Sequence, residues 1–237
     1  KSKLSKRHGA ISILAYRRMG YLPQAMVNFL ALLGWSLDDK TEIISLEELT
    51  NHFDLGRVGV SGAVFSNDKL DWMNGSYIRQ ASHECLTEIL LDYWRLYPPD
   101  EALNLPEASY LLRIVPLIQE RLKTLGDAAP LTTFFFTDNI EYDSSDLIQK
   151  GMDVGDTKKI LEAALVGLSN ISSFDSESIE NVLRSLAQEM NLKPKLFLGS
   201  LRVAVTGLRV APPLFQAIEV IGKDRTLAFI RKATDRL

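Results

Sequence analysis

Apolar residues recur every three to four positions along most of the chain, which is the spacing of one face of an α-helix. Near the start, Leu22, Phe29 and Leu33 follow this spacing, and Pro23 suits a first helical turn, so a helix is predicted there that Gly34 ends.

Capping and proline signals place the next helices. Ser45 and Glu48 have the spacing of a capping box and predict a short helix that reaches Phe53. An amphipathic pattern over 76–97 predicts one long helix, which the two prolines after it stop. Cys85 falls on the apolar face of that helix, where we expect a buried structural thiol.

Helix signals also dominate the rest of the chain. Strand signals are weak and confined to segments near 43–45 and 57–65, so the sequence predicts an all-α fold. Further helices are predicted over 107–124 with a bend at Pro116, 131–137, 144–150, 156–169, 175–191 with Asp175 as N-cap, 195–206, 213–221 and 224–236.

Composition places the chain among ordinary soluble proteins. It has 237 residues, of which 46% are hydrophobic and 24% charged. There is no apolar run long enough for a membrane helix and no signal-peptide pattern. A single cysteine excludes an internal disulfide framework and a cysteine-rich zinc site. We therefore expect a cytoplasmic protein without membrane contact and, since there is no initiator Met, a piece of a longer chain.

Charge is strongly segregated along the chain. Residues 1–37 carry six basic and no acidic residues, and residues 192–237 carry nine basic against three acidic ones. Because the net charge is −3, residues 38–191 carry −15. Such asymmetry fits two ends that face a polyanion, separated by an acidic spacer. Basic residues on solvated helix faces would give the same count, so charge alone leaves both interpretations open.

Common catalytic and cofactor motifs are absent. The sequence has neither the GxxxxGK[ST] nor the GxGxxG phosphate-binding loop. His8, His52 and His83 are scattered, and none belongs to a metal-binding spacing, so no metal site is predicted. The sequence indicates no self-contained active site.

The first residues, KSKLSKRHGA, are the strongest chemical signal. Lys3, Lys6 and Arg7 can reach phosphate oxygens, and Ser5 can donate a hydrogen bond. A cationic loop of this kind can stabilise the charge that develops on a triphosphate. A frayed basic terminus would have the same composition.

A resemblance decides between these interpretations. KLSKR resembles the KMSKS-type signature of class I aminoacyl-tRNA synthetases, in the form found among bacterial glutamyl-tRNA synthetases. The segments that follow resemble that family in the same order and spacing, over essentially the whole chain: RHGAISILAYRRMGYLPQAMVNFLALLGWS, SGAVFSNDKLDWMNGSYIR, LIQERLKTLGDAAPLTTFFF and LRVAVTGLRVAPPLFQAIEVIGKDRTLAFIRKA.

The resemblance implies the C-terminal half of a glutamate–tRNA ligase, from the KMSKS-type loop onward. The implied fold is a helical stem-contact domain followed by two helical anticodon-binding units. We expect the boundaries at 1–82, 83–142 and 143–237. The parent enzyme would use ATP and Mg²⁺ to form glutamyl-adenylate and transfer glutamate to tRNA(Glu). The implied partners are tRNA(Glu) and the missing N-terminal catalytic domain. We expect this piece to be a monomer that binds no cofactor and catalyses nothing alone.

The resemblance also assigns residue roles. Lys6 matches the second lysine of the motif and would be the catalytic residue that contacts ATP phosphates. Lys3, Leu4, Ser5 and Arg7 complete the ATP-binding loop. Leu4 replaces the Met of the general motif and Arg7 its final Ser, as is usual in this branch.

Two arginines are the expected anticodon-binding residues. Arg121 matches an arginine that recognises the third anticodon base in members that discriminate for glutamate, and Arg202 matches a second anticodon contact. Splayed bases offer edges to which guanidinium groups donate hydrogen bonds. A surface arginine in an i, i+4 pair is the alternative for Arg121.

Other segments have structural or alternative interpretations. The segment GYLPQAMVNFLALLGW has the pattern of a packed helix rather than of a tRNA contact. Trp72, Asn74 and Tyr77 are expected to fix a junction between domains, while Tyr77 or Arg79 could instead touch the tRNA stem. The alternative for the whole chain is a non-catalytic helical interaction scaffold derived from the same family.

Overall fold

A computed structural model describes residues 12–59, 64–99 and 105–237. Across these residues the regular structure is helical and no strand is present, which confirms the all-α class. The α-helices are α1 (Ile13–Met19), α2 (Pro23–Ala31), α3 (Leu46–His52), α4 (Asn67–Gln80), α5 (His83–Leu96), α6 (Ala108–Ile118), α7 (Ala128–Thr132), α8 (Val154–Asn170), α9 (Ser176–Glu189), α10 (Pro194–Thr206), α11 (Leu214–Ile221) and α12 (Lys223–Asp235). No helix in this part of the chain has the length and apolar character needed to cross a membrane.

The chain divides into two compact units, Lys1–Ala129 and Pro130–Leu237. The division falls within α7. The predicted three-part division at 82 and 142 stays a prediction.

The first unit begins with helices whose start signals are visible in the sequence. Pro23 occupies the first turn of α2, as predicted. The Ser45–Glu48 capping box at α3 is also confirmed, with the Glu48 N–H donating to Ser45 Oγ at 3.1 Å. α2 packs against α4, and a cluster of buried side chains forms between them: Met26, Phe29, Leu70 and Met73.

The predicted single helix over 76–97 is wrong. α4 ends at Gln80 and α5 begins at His83. Ser82 breaks the pattern because its hydroxyl accepts a hydrogen bond from the Cys85 N–H at 3.2 Å and caps α5. The new start places Cys85 in the exposed first turn of α5, so the predicted burial of its thiol is wrong too.

The predicted helix over 107–124 is also shorter than expected. α6 contains Pro116 and ends at Ile118, and a 3-10 helix, Gln119–Arg121, follows. A proline within a helix removes one backbone donor and clashes with the preceding turn, which favours an early end. Leu122 then has extended backbone and is fully buried.

The second unit is built around α8, which packs against α9, α10 and α12. Ile160, Leu168 and Ile230 are completely buried in its interior. Asp175 caps α9 as predicted, accepting a hydrogen bond from the Ser178 N–H at 2.8 Å. Where α-helices were expected near 131–137 and 144–150, the chain forms the end of α7 and short 3-10 helices, Thr133–Phe135 and Ser144–Leu147.

Candidate nucleic-acid interface

The predicted ATP-binding loop lies outside the described residues. This applies to Lys3, Leu4, Ser5, Lys6 and Arg7. The first residue that the structure describes is Ser12. Its hydroxyl accepts a hydrogen bond from the Ala15 N–H at 3.2 Å and caps α1.

Arg121 is the last residue of the 3-10 helix that follows α6, and its side chain is exposed. It makes no hydrogen bond or ion pair with any residue that the structure describes. The alternative of a paired arginine on an α-helix is therefore not observed. The guanidinium group is free to bind a ligand in solvent.

The backbone beside Arg121 is held on both sides. On one side, the Gln119 Nε2 donates to the carbonyls of Ile78 and Ala81, both at 2.8 Å. On the other, the Asn74 Nδ2 donates to the carbonyl of Lys123. These bonds fix the turn to α4 and to the residue that follows α4. Arg121 is thus an exposed side chain on a backbone that hydrogen bonds hold in place.

Asn74 connects this turn to α2 as well. Its Oδ1 accepts a hydrogen bond from the Leu22 N–H at 2.8 Å, and the side chain is fully buried. Asn74 therefore has a structural role within the first unit, while the predicted junction between domains stays a prediction. A buried amide that satisfies two backbone groups is costly to remove, because both groups would lose their partners.

The approach of the Arg121 turn to α4 requires Gly75. A Cβ atom at this position would lie 2.9 Å from Arg79 Nη1 and 3.2 Å from the Leu122 carbonyl oxygen. The half-buried Arg79 also donates from Nη2 to Ser76 Oγ at 3.1 Å. The guanidinium group of Arg79 therefore lies near Leu122, the residue that follows Arg121.

The two aromatic candidates on α4 have different environments. The Tyr77 hydroxyl lies 2.7 Å from the Ile44 carbonyl and 2.9 Å from Asn28 Oδ1, and burial raises the pKa of Tyr77. Tyr77 is therefore bound to the interior of the first unit. Trp72 is 47% exposed and leaves an aromatic surface available.

In the second unit, Arg202 lies on α10 and is half-buried. Its side chain makes no hydrogen bond or ion pair with the described part of the chain. Nearby in sequence, Arg209 is fixed instead, because its Nε donates to Asp146 Oδ1 at 2.9 Å. Of these two arginines, Arg202 is therefore the one whose donors have no partner among the described residues.

Asp143 fixes the segment that contains Asp146. Its Oδ1 accepts a hydrogen bond from the Ser145 N–H at 2.9 Å and caps the 3-10 helix Ser144–Leu147. This backbone hydrogen bond, with a smaller contribution from the Arg209 charge, holds the pKa of Asp143 below its usual range.

Most of the basic side chains in residues 192–237 form hydrogen bonds within the protein. They are therefore not all available to a polyanion, as the charge segregation alone would allow. Five of the nine cations in this segment bind acceptors within the second unit: Arg209, Lys223, Arg225, Lys232 and Arg236. The other four have no such partner among the described residues: Lys193, Lys195, Arg202 and Arg231. Three of these four lie at or on α10.

The described residues contain no group of three or more His, Cys, Asp or Glu side chains arranged for a metal ion. What they offer is a set of free guanidinium and ammonium groups, carried on hydrogen-bonded supports. Groups of this kind can bind phosphates and base edges.

Comparison with known sequences identifies the family. The sequence model of the anticodon binding domain matches residues 85–234, which is more than half of the chain and includes both candidate arginines. The chain belongs to the anticodon-binding-domain family. A second model, the catalytic domain of class I tRNA synthetases (E and Q), matches residues 1–72.

Several relatives of this chain are named glutamate–tRNA ligases. One from Dehalococcoides mccartyi is 45% identical over 237 residues, covering 100% of this chain and 49% of the relative. One from Roseiflexus castenholzii is 44% identical over 236 residues, covering 98% and 46%. The chain therefore spans about half the length of the curated relatives it matches.

A solved structure shows the same relationship. The crystal structure of a glutamate tRNA ligase from Elizabethkingia meningosepticum, in complex with its amino acid, matches with a TM-score of 0.82 and 28% sequence identity. The match covers 100% of this chain and 49% of that one. The predicted relationship to bacterial-type glutamyl-tRNA synthetases is confirmed.

Proposed function

We propose that this chain is the tRNA-binding and anticodon-recognition part of a glutamate–tRNA ligase. The observation that carries the proposal is Arg121, an exposed and unpaired arginine on a turn held by Gln119 and Asn74. It lies within the segment that matches the anticodon binding domain. Fixed supports favour binding because little backbone freedom is lost when a ligand is bound.

The chemistry of recognition follows from the guanidinium group. Arginine has five N–H donors and no acceptor, and it can donate two hydrogen bonds in parallel. Bases of a single-stranded loop expose edges with carbonyl and ring-nitrogen acceptors. Arg121 would recognise the third anticodon base, and Arg202 would make a second contact in the anticodon loop.

For the parent enzyme, we propose ligation of glutamate to tRNA(Glu) through glutamyl-adenylate, with ATP and Mg²⁺ as cofactors. The ATP phosphates would be bound by Lys3, Ser5, Lys6 and Arg7, a role that rests on the resemblance of KLSKR to the KMSKS-type signature. Bound ATP supplies the adenylyl group that activates the carboxylate of the amino acid. The chain alone would bind tRNA without catalysing either step.

The proposed domain organisation agrees with the extent of the two family matches. The match to the catalytic domain ends at 72 and that to the anticodon binding domain begins at 85, on either side of the proposed boundary at 82. We propose a stem-contact domain before this boundary and two anticodon-binding units after it. A monomer in the cytoplasm, with the N-terminal catalytic domain as a partner, completes the proposal.

Replacing Arg121 by Gln tests the proposal. The binding of tRNA(Glu) and tRNA(Gln) transcripts to the 237-residue chain is compared. The wild-type chain should prefer tRNA(Glu), and Arg121→Gln should reduce that preference about tenfold, the value of one lost pair of hydrogen bonds to a base.

Arg95→Gln is the matched control. Arg95 is exposed on α5 and paired with Asp92 at 2.5 Å, so this variant removes the same charge at another place in the first unit. It should weaken the binding of both transcripts slightly and equally. Unchanged discrimination in Arg121→Gln would show that Arg121 does not recognise the anticodon.

A further inference from the structure

Helix α2 has one apolar face in the core and a second apolar face at the surface. Met26 and Phe29 are buried in the cluster between α2 and α4. Val27 and Leu30, on the other face of the same helix, are 44% and 47% exposed. The packing against α4 therefore accounts for only part of the apolar pattern of this segment.

A second row of side chains lies opposite, along α3. Leu46 and Thr50 on α3 and Phe53 directly after it have the spacing i, i+4 and i+7, which places them on one side of the helix. Leu46 is 56% exposed and Phe53 is 44% exposed. The Thr50 hydroxyl donates to the Leu46 carbonyl at 2.7 Å, so this polar group already has a partner.

The two rows line a groove of about 490 Å³, to which Trp35 and Val58 also contribute. Apart from Thr50 and the indole N–H of Trp35, the described side chains that line it are apolar. Its size lies within the range of about 300–1,000 Å³ that is usual for ligand sites. Contiguous apolar surface of this kind on a soluble protein marks an interaction site.

The segment that contains α3 is acidic. Residues 38–59 carry six acidic and two basic residues, so their net charge is −4. One of the two bases, Arg57, is used within the protein, because its Nη2 donates to the Ser36 carbonyl at 2.9 Å and its guanidinium lies 5.5 Å from the centre of the Trp35 ring. Helix α2, on the other side of the groove, has no charged residue.

Two of these carboxylates lie at the two ends of the row on α3. Glu47 follows Leu46, is exposed and has no hydrogen bond or ion pair with the described residues. Asp54 follows Phe53 and is also exposed, with Oδ1 accepting from the Gly56 N–H at 2.8 Å. Both ends of the apolar row therefore carry negative charge.

These features fit a helix better than a nucleic acid. The row from Leu46 to Phe53 extends over about 10 Å, which is the rise of two helical turns. A helix with apolar side chains at i, i+4 and i+7 can place all three along such a row. RNA would be repelled by the acidic ends, and its phosphates need cationic partners.

We propose that the groove between α2 and α3 binds an amphipathic helix of a partner protein, with Lys or Arg at both ends of its apolar face opposite Glu47 and Asp54. This inference goes beyond the proposed function, because the interaction involves no tRNA.

The test measures the fluorescence anisotropy of labelled peptides with the 237-residue chain. The probe is an Ala-rich peptide of about 15 residues with Leu at i, i+4 and i+7 and Lys at both ends. One comparison peptide has the same composition with its Leu residues spread around the helix, and another has Glu in place of Lys. The probe should bind about tenfold more tightly than either comparison peptide.

Two variants of the protein locate the site. Leu46→Ser should weaken binding of the probe about tenfold, because it removes an apolar contact at the centre of the interaction. Glu47→Lys should weaken the probe and strengthen the peptide with Glu ends, since the charge at one end of the groove is reversed. Val166→Ser is the matched control, because Val166 is an apolar side chain that is 60% exposed on α8 in the second unit.

Val166→Ser should bind the probe like wild type, and thermal unfolding should show that every variant is folded. Equal binding of all three peptides by wild type, or unchanged binding of the probe by Leu46→Ser, would show that the inference is wrong. The binding of tRNA(Glu) should be the same in Leu46→Ser as in wild type. An equal loss of probe and tRNA(Glu) binding would assign the groove to the RNA interface and would also overturn the inference.

Discussion

Arg225 on α12 donates a hydrogen bond from Nε to Oδ1 of Asp138 at 3.0 Å, although 87 positions separate them in the chain. The same guanidinium donates to the carbonyls of Phe135 at 2.9 Å and Thr137 at 2.7 Å. Arg225 thus binds the chain after α7 to the last helix by three hydrogen bonds. Its donors are used within the protein rather than for a nucleic acid.

Replacing Arg225 by Met should therefore destabilise the second unit. We expect the free energy of unfolding to fall by about 2–4 kcal/mol, because the variant leaves two carbonyls without their charged donor. Asp138→Asn should cost less than about 1 kcal/mol, since the Asp138 side chain is 87% exposed. Urea unfolding of the two variants measures both values, and equal losses would contradict this account.

The variant Asn74→Ala tests whether the hydrogen bonds that hold the turn beside Arg121 matter for stability and recognition. Loss of the buried amide leaves the Leu22 N–H and the Lys123 carbonyl without their partner, so stability should fall by about 2–3 kcal/mol. At a temperature where the variant is folded, its preference for tRNA(Glu) should also be weaker, because the Arg121 turn is no longer fixed.

The control for this variant is Asn67→Ala, at the exposed first position of α4. It should change stability by no more than about 0.5 kcal/mol, as is usual for surface sites. If Asn74→Ala loses stability but keeps full discrimination, the fixed turn is not required for recognition.

Acid should destabilise the protein through carboxylates that accept hydrogen bonds. Asp38 accepts from the backbone N–H groups of Lys40 and Thr41, and these bonds hold its pKa below the usual range. Backbone hydrogen bonds have the same effect on the pKa of Glu48 and Asp143. A pKa lowered in the folded state gives stability that is present above the ordinary value of about 4 and is lost as pH falls through the folded value.

The thermal midpoint should thus be nearly constant from about pH 7 to 5 and decrease below about pH 4. Asp38→Asn should make that decrease smaller. Asp39→Asn is the matched control, because Asp39 is exposed and accepts no hydrogen bond from the described residues. A decrease that is the same in both variants would exclude Asp38 as a cause.

The sequence predicts the helical class and many helix ends, because those signals are local. Pro23, the Ser45–Glu48 capping box and Asp175 act within a few residues of their own position. The break at Ser82 was not predicted, since the apolar pattern continues across it. A serine three residues before Cys85, as a possible N-cap, is the signal that would have located it.

For the candidate site too, the sequence predicts some features and not others. Arg121 and Arg202 were identified by resemblance, and the structure describes both as unpaired side chains. The support of Arg121 depends on contacts between residues far apart in the chain, such as Gln119 with Ile78 and Asn74 with Lys123. The same limit applies to charge, because the sequence cannot show that Arg225 is bound internally.

The most direct test of the central claim is the binding of the unaltered 237-residue chain to tRNA(Glu) and tRNA(Gln) transcripts at about 50 and 200 mM salt. The account predicts tighter binding of tRNA(Glu) and an affinity that falls steeply with salt, because phosphate contacts release counterions. No binding at the lower salt concentration, or weak binding with neither salt dependence nor preference, would contradict the account and favour the helical scaffold.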